Sequence, residues 1–124
     1  MSVRAVRGAI QVDADERDQV LEASTELLTA VLERNQLRSA DLISVLFTAT
    51  PDLTSEFPAY AARMMGITDV PLMSASEIDV VGAMPRVLRL LAHVETEMAR
   101  QDIRHVYLRG AAGLGRDCPR RPLD

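Results

Sequence analysis

The sequence predicts a single α/β domain, and three observations carry that expectation. Short runs rich in β-branched and apolar residues alternate with stretches of helical periodicity along the chain. With 124 residues, 48% of them hydrophobic, the chain has the size and apolar content of one domain around one core. No repeat, low-complexity tract or linker interrupts it before GRDCPRRPLD at the end. The domain is therefore assigned to residues 1–114, and the Pro- and Arg-rich residues 115–124 are read as a flexible tail.

Each element follows from its local pattern. Residues 3–12 are rich in small and β-branched side chains and read as a strand. Val3, Ala5, Arg7 and Ala9 form one face, and Arg4, Val6, Gly8, Ile10 and Val12 the other. Asp13, with Glu16 three positions on, has the form of a capping box opening a helix to about Asn35. Its inward stripe is Val20, Ser24, Leu27, Leu28 and Val31, with Ser24 the polar exception. Residues 42–48 (LISVLFT) have the pattern of a strand buried on both faces. The polar loop TPDLTSEFP follows. Pro58 stands where a helix can begin, and AYAARMM continues it to Gly66 at the C′ position.

Residues 70–75 read as a third strand, and Ser76, Glu77, Ile78 and Asp79 as a turn. Past Gly82 and Pro85, helical spacing predicts a helix ending near Arg100. Met84, Val87, Leu88, Leu91, Val94 and Met98 form its apolar side, and Arg86, Arg89, His93, Glu97 and Arg100 the opposite stripe. Residues 104–114 read as the last strand, giving the order β-α-β-α-β-α-β.

Composition narrows the chemistry. All 14 cations are Arg and none is Lys, which excludes a Schiff-base lysine and a P-loop lysine. What remains is a cation that keeps its proton and forks onto carboxylates and phosphates. Codon bias in a GC-rich genome accounts for most of the 14, including Arg17, Arg34, Arg38, Arg120 and Arg121. A net charge of -4 without a basic block argues against nucleic acid or an anionic membrane as partner. Phe47, Phe57, Tyr60 and Tyr107 are too few rings for a single-strand stacking platform. No apolar run approaches a membrane span, and MSVRAVRGAI has no signal-peptide apolar core. The single Cys118 permits no internal disulfide and reads as an incidental thiol. His93 and His105 lack a ligand-spaced partner, so no metal site is expected. Together these features predict a soluble, cytoplasmic domain.

Several residues stand out as candidates. Arg7 lies at mid-strand between small residues, which fits either a ligand beside it or an edge-strand Arg facing water. Arg89, on a polar helical stripe, reads as solvated unless that stripe borders a cleft or another subunit. Glu77 follows a strand end in a Ser-rich turn, a usual position for site residues. Tyr107 shares a polar strand face with His105 and Arg109, where its hydroxyl can make one hydrogen bond. GAAGLG at 110–115 is a weak phosphate-loop pattern without a following helix. No Ser/His/Asp constellation can be argued.

TATPDLTSEFPAYAAR (48–63), with VRGA (6–9), VP (70–71), SASEIDV (74–80) and IRHVYLRGA (103–111), resembles the small monofunctional chorismate mutases of the trimeric pseudo-barrel type. The similarity runs from Val3 to about Leu114 with motif order kept. It implies a mixed-sheet α/β subunit, a homotrimer with active sites between neighbouring subunits, and rearrangement of chorismate to prephenate without a cofactor. By motif position, Arg7 and Tyr107 would hold a substrate carboxylate, Glu77 the ring hydroxyl, and Arg89 the ether oxygen of the breaking bond. Phe57 and Arg63 would come from the neighbouring subunit, with Ala59 and Tyr60 near the mouth. Met73 and Ser74, followed by Ala75 and Ser76, would line the wall, and Leu114 and Arg116 the C-terminal side. Ser74 stands where the family often has Cys, and Tyr60 where it is often basic. Leu114-Gly115-Arg116-Asp117 stands where the family has Leu-Arg-Pro-Asp, which displaces Arg116 by one position. A small trimeric imine/enamine deaminase and a non-catalytic trimer binding an aromatic-pathway acid are the competing readings.

Overall fold

The computed structural model describes residues 1–117, excepting the side chains of 115–117. Five strands form one mixed sheet: β1 (Ser2–Gln11), β2 (Leu42–Ala49), β3 (Leu72–Ser76), β4 (Val87–Thr96) and β5 (Val106–Leu108). Their order across the sheet is β3-β2-β4-β1-β5. β4 is antiparallel to both β1 and β2, while β3 runs parallel to β2 and β5 parallel to β1. Among the described residues three α-helices accompany it: α1 (Arg17–Arg34), α2 (Ala59–Met64) and α3 (Ala112–Asp117).

The core lies between α1 and one face of the sheet. Val6 and Ile10 of β1, Val45 and Phe47 of β2, and Leu88, Leu90, Ala92 and Val94 of β4 pack against Val20, Leu27, Leu28 and Val31 of α1. At Gly8 the side chains of α1 pack directly onto the strand backbone. A Cβ there would stand 3.0 Å from Leu27 Cδ1 and 3.2 Å from Val31 Cγ2. Ser24 sits in the buried stripe because its hydroxyl donates to the Val20 carbonyl at 2.7 Å, which satisfies it within the helix. α2 starts after Pro58, and Gly66 takes φ +88° just past its C-cap Met65, as the spacing predicts.

Four expectations need correction. The segment read as a helix ending near Arg100 is strand β4. Leu88, Leu90, Ala92 and Val94 are all apolar and buried, a period of two running through a segment whose polar residues also fit a helical stripe. A central strand needs that single face, and tertiary pairing on both sides decides between the two periods.

The last strand is only Val106–Leu108, and the chain then turns through Arg109–Ala111 into α3. α3 therefore occupies the end of GAAGLG and crosses the expected boundary at 114. The expectations for Cys118 and for the rest of the tail to 124 lie outside the described residues.

β2 is buried on one face only, with Ser44, Leu46 and Thr48 half-exposed on the other. The Asp13–Glu16 capping box does not form. Glu16 is the N-cap of α1 without a side-chain cap, and the neighbouring Asp15 is engaged with Thr54 and Ser55 instead.

Candidate active site

Strand register assembles the site. Ala75, Thr48, Arg89, Ala9 and Tyr107 are successive cross-strand partners from β3 to β5. They form one row across the sheet, on the face turned away from α1. Met73, Leu46, Leu91 and Arg7 form the adjacent row on the same face. Partners in register share a face because side chains alternate along every strand. A cavity of about 220 Å³ lies over these rows, lined by Arg7, Ala9, Thr48, Arg89, Tyr107 and Leu114 among others. Arg7 is thus not on an edge strand, since β1 lies between β4 and β5. Ala9 keeps the space open: it is buried directly between Arg89 and Tyr107, where a larger side chain would fill the gap.

Glu77 joins this cluster from the end of β3. Its backbone N–H donates to the Ala49 carbonyl at 2.9 Å. Its Oε2 accepts the Thr48 hydroxyl at 2.6 Å and faces Arg89 Nε at 3.2 Å. The Arg89 side chain is 48% exposed, so the pair adds about 1 kcal/mol or less to stability. Its consequence is orientation, because a guanidinium held by its Nε edge has its plane set. The helical stripe that made Arg89 look solvated does not exist in strand β4, and of its expected members it is Arg89 that lines this cavity.

Arg7 is placed through its backbone as well. Its N–H donates to His105 Nδ1 at 3.0 Å. Desolvation of the imidazole, and then the Arg7 charge, hold the His105 pKa below its ordinary value. The neutral ring can accept this bond, whereas an imidazolium could not. His105, read from the sequence only as a neighbour of Tyr107, is thus tied to the strand that presents Arg7.

The other expected site residues gather elsewhere. A second cavity of about 310 Å³ is lined by Thr54, Ser55, Phe57, Ser74, Ala75 and Ser76, with Glu56 and Pro58 beside them. Ser74 Oγ accepts the Ala59 N–H at 3.2 Å, tying the start of α2 to β3. Phe57 is 71% exposed, and Tyr60 and Arg63 are exposed on α2. Met73 and Ser74 do not share a wall, since adjacent strand residues take opposite faces. Ser74 pairs with Phe47 on the core side, while Met73 pairs with Leu46 on the open side and borders neither cavity. Leu114 lines the first cavity from α3. Arg116 belongs to α3, but its side chain lies outside the described ones.

Some residues of the site were not singled out in the sequence. Thr48 holds Glu77, yet its role becomes visible only once β2 and β3 are known to pair in parallel. Arg17, assigned to codon bias, pairs its Nε with Glu56 Oε2 at 2.9 Å and lies 5.7 Å over the Tyr60 ring. Its position in the first turn of a helix beside an acidic loop was the available signal.

Comparison with known proteins identifies the family. A family model described as chorismate mutase type I matches residues 3–118. Chorismate mutase AroH of Thermus thermophilus is 48% identical over 116 residues, covering 93% of this chain and 95% of that protein. Chorismate mutase AroH of Bacillus subtilis (strain 168) is 37% identical over 109 residues, covering 87% and 86%. A solved chorismate mutase from Clostridium thermocellum superposes with a TM-score of 0.85 at 44% identity, covering 86% of this chain and 96% of that one. No helix among the described residues is long and apolar enough to cross a membrane.

Proposed function

The chain belongs to the chorismate mutase type I family, and we propose that it catalyses the rearrangement of chorismate to prephenate in aromatic amino-acid biosynthesis. The observation that carries this reading is the convergence of Arg7, Arg89, Glu77 and Tyr107 on one side of the sheet. In the reaction the ether C–O bond breaks as a C–C bond forms within one molecule, and no proton is transferred. No nucleophile, general acid or cofactor is needed. What a protein can supply is a fixed chair-like conformer and a preorganised donor for the charge growing on the ether oxygen.

The residues fit those tasks. Arg7 meets a substrate carboxylate and draws the dianion in, with Tyr107 adding a hydroxyl donor. Glu77 accepts the ring hydroxyl. Arg89 faces the ether oxygen, its fork set by Glu77, so that a donor already stands where charge develops.

The site is completed by a second subunit. The open sheet face carries Val3 and Met73 well exposed, with Leu46 and Leu91 half-buried, and no layer among the described residues covers it. In the homotrimer Phe57 and Arg63 reach the neighbour's cavity, with Ala59 and Tyr60 at its mouth, while Ser74, Ala75 and Ser76 of β3 border the cavity beside Phe57. Leu114 borders the Arg7–Arg89 cavity from α3, and Arg116 is the arginine assigned to the C-terminal side of the site by resemblance.

The test is loss of chorismate absorbance with formation of prephenate by the purified protein, together with its mass in solution. Turnover by a species three times the 13.6 kDa chain mass is expected. Binding of chorismate without turnover points to the sensor reading. Hydrolysis of an imine or enamine without mutase activity points to the deaminase reading.

A further inference from the structure

We propose that Asp15 is a positioning residue: it holds the loop carrying Phe57 in the conformation in which that loop walls the substrate cavity. The proposal rests on the chorismate mutase reading above.

Asp15 lies in the turn between β1 and α1, outside both cavities. Its Oδ1 accepts the backbone N–H groups of Thr54 and Ser55, each at 3.1 Å, and also the Ser55 hydroxyl. Its Oδ2 accepts the Thr54 hydroxyl at 2.9 Å and the Thr54 N–H at 3.2 Å. Two consecutive amides and two hydroxyls thus end on one carboxylate. The next residue is held in the same way: Arg17 Nε meets Glu56 Oε2 at 2.9 Å, and Glu56 Oε1 accepts the Phe57 N–H at 2.9 Å. The amides of 54, 55 and 57 therefore bond to carboxylate side chains, where a strand or helix would supply carbonyls.

This arrangement sets conformation more than stability. Asp15 is exposed, and each bond replaces one to water. A loop without a ladder has many conformers, however, and four donors converging on one fixed side chain leave it few. Thr54, Ser55 and Phe57 all line the 310 Å³ cavity, and Phe57 is the residue this loop offers to the neighbouring subunit's site, so the restriction acts on the wall that substrate meets there. A loose wall must be ordered on binding, which weakens ground-state and transition-state binding alike and leaves the reacting atoms untouched.

Asp15→Ala and Asp15→Asn in the full chain test this, with amide hydrogen exchange at Thr54 and Ser55 and steady-state kinetics on chorismate. In Asp15→Ala the two amides should exchange roughly tenfold faster. KM should rise roughly tenfold with kcat within about twofold of wild type, a split that a general loss of folded protein would not give. Asp15→Asn keeps one oxygen acceptor and should restore part of both, with KM raised about threefold. Where Asp15→Ala does not fold, the Asn variant is judged by the same two measurements. Unchanged exchange, unchanged KM, or a loss confined to kcat overturns the proposal. A wild-type protein without mutase activity would sink the functional reading instead, and exchange alone would then decide whether Asp15 holds the loop.

Discussion

The cavity around Arg7 and Arg89 and the cavity beside Phe57 are built by different means. In the first, the row Ala75, Thr48, Arg89, Ala9 and Tyr107 is set by backbone pairing across five strands, and the buried alternation of β4 locks its register. In the second, an exposed carboxylate, Asp15, and a half-buried one, Glu56, gather the amides of an irregular loop. Pairing over a core resists displacement, because a slip of one residue would expose the inner face of the strand. Side-chain ties at the surface resist it only weakly. In the proposed mechanism, groups that meet developing charge stand on the sheet, and groups that close the pocket stand on the loop.

The sharpest way to break this division is at Arg89. Arg89→Ala should lower kcat by about 10²–10³-fold, the usual cost of a lost transition-state donor. The melting temperature should scarcely change, since the side chain faces the cleft rather than the core. Arg89→Lys should also show a large defect, because charge is kept but the fork is lost. Nearly full kcat in Arg89→Ala would remove the mechanism assigned here.

Arg7→Ala should come next. Loss of one charged hydrogen bond, about 2 kcal/mol, corresponds to a roughly thirtyfold fall in kcat/KM. Glu77→Gln keeps the shape but releases Arg89, and kcat/KM should fall roughly tenfold with the assembly intact. A Glu77→Gln enzyme indistinguishable from wild type would mean that orientation of the fork does not matter.

On the loop side the effects should be smaller and should fall on binding. Phe57→Ala should raise KM about threefold with kcat retained, as expected of an apolar wall. A kcat loss as large as that of Arg89→Ala would move Phe57 into the first class.

The smallest effect concerns acid stability. The Ser55 hydroxyl is the largest of the contacts that hold the Asp15 carboxyl below its ordinary value. The unfolded chain then takes up the proton at higher pH than the folded one. The tie therefore stabilises fully above about pH 4 and is lost as pH falls through the folded value. Stability curves of wild type and Asp15→Asn should converge below that pH. Parallel curves would show that the carboxylate is not tied in solution.

The two regions differed also in how far they could be read from sequence. β1, α1, β2 and α2 were legible because each has one dominant period or a clear stop signal, such as Gly66. β4 was not. Its apolar residues satisfy a helical and a strand period together, and only pairing with β1 and β2 separates them. Arg89 was consequently singled out on the wrong element, and the resemblance rather than the period suggested its role. The role of Asp15 is not legible in the sequence, because a carboxylate between a strand and a helix ordinarily caps that helix. Here its partners are 39 and 40 residues away.

Residue chemistry was determined by the sequence alone. It provided cations that keep their protons, no lysine for covalent work, and motif order sufficient to indicate the family. Position was decided by the tertiary structure. Which face Arg89 shares with Arg7, how Glu77 reaches the Arg89 fork, and which carboxylate holds the Phe57 loop all depend on contacts between segments far apart in the chain. Periodicity reports which residues avoid water locally, but it carries no information about the strand or loop that will lie alongside.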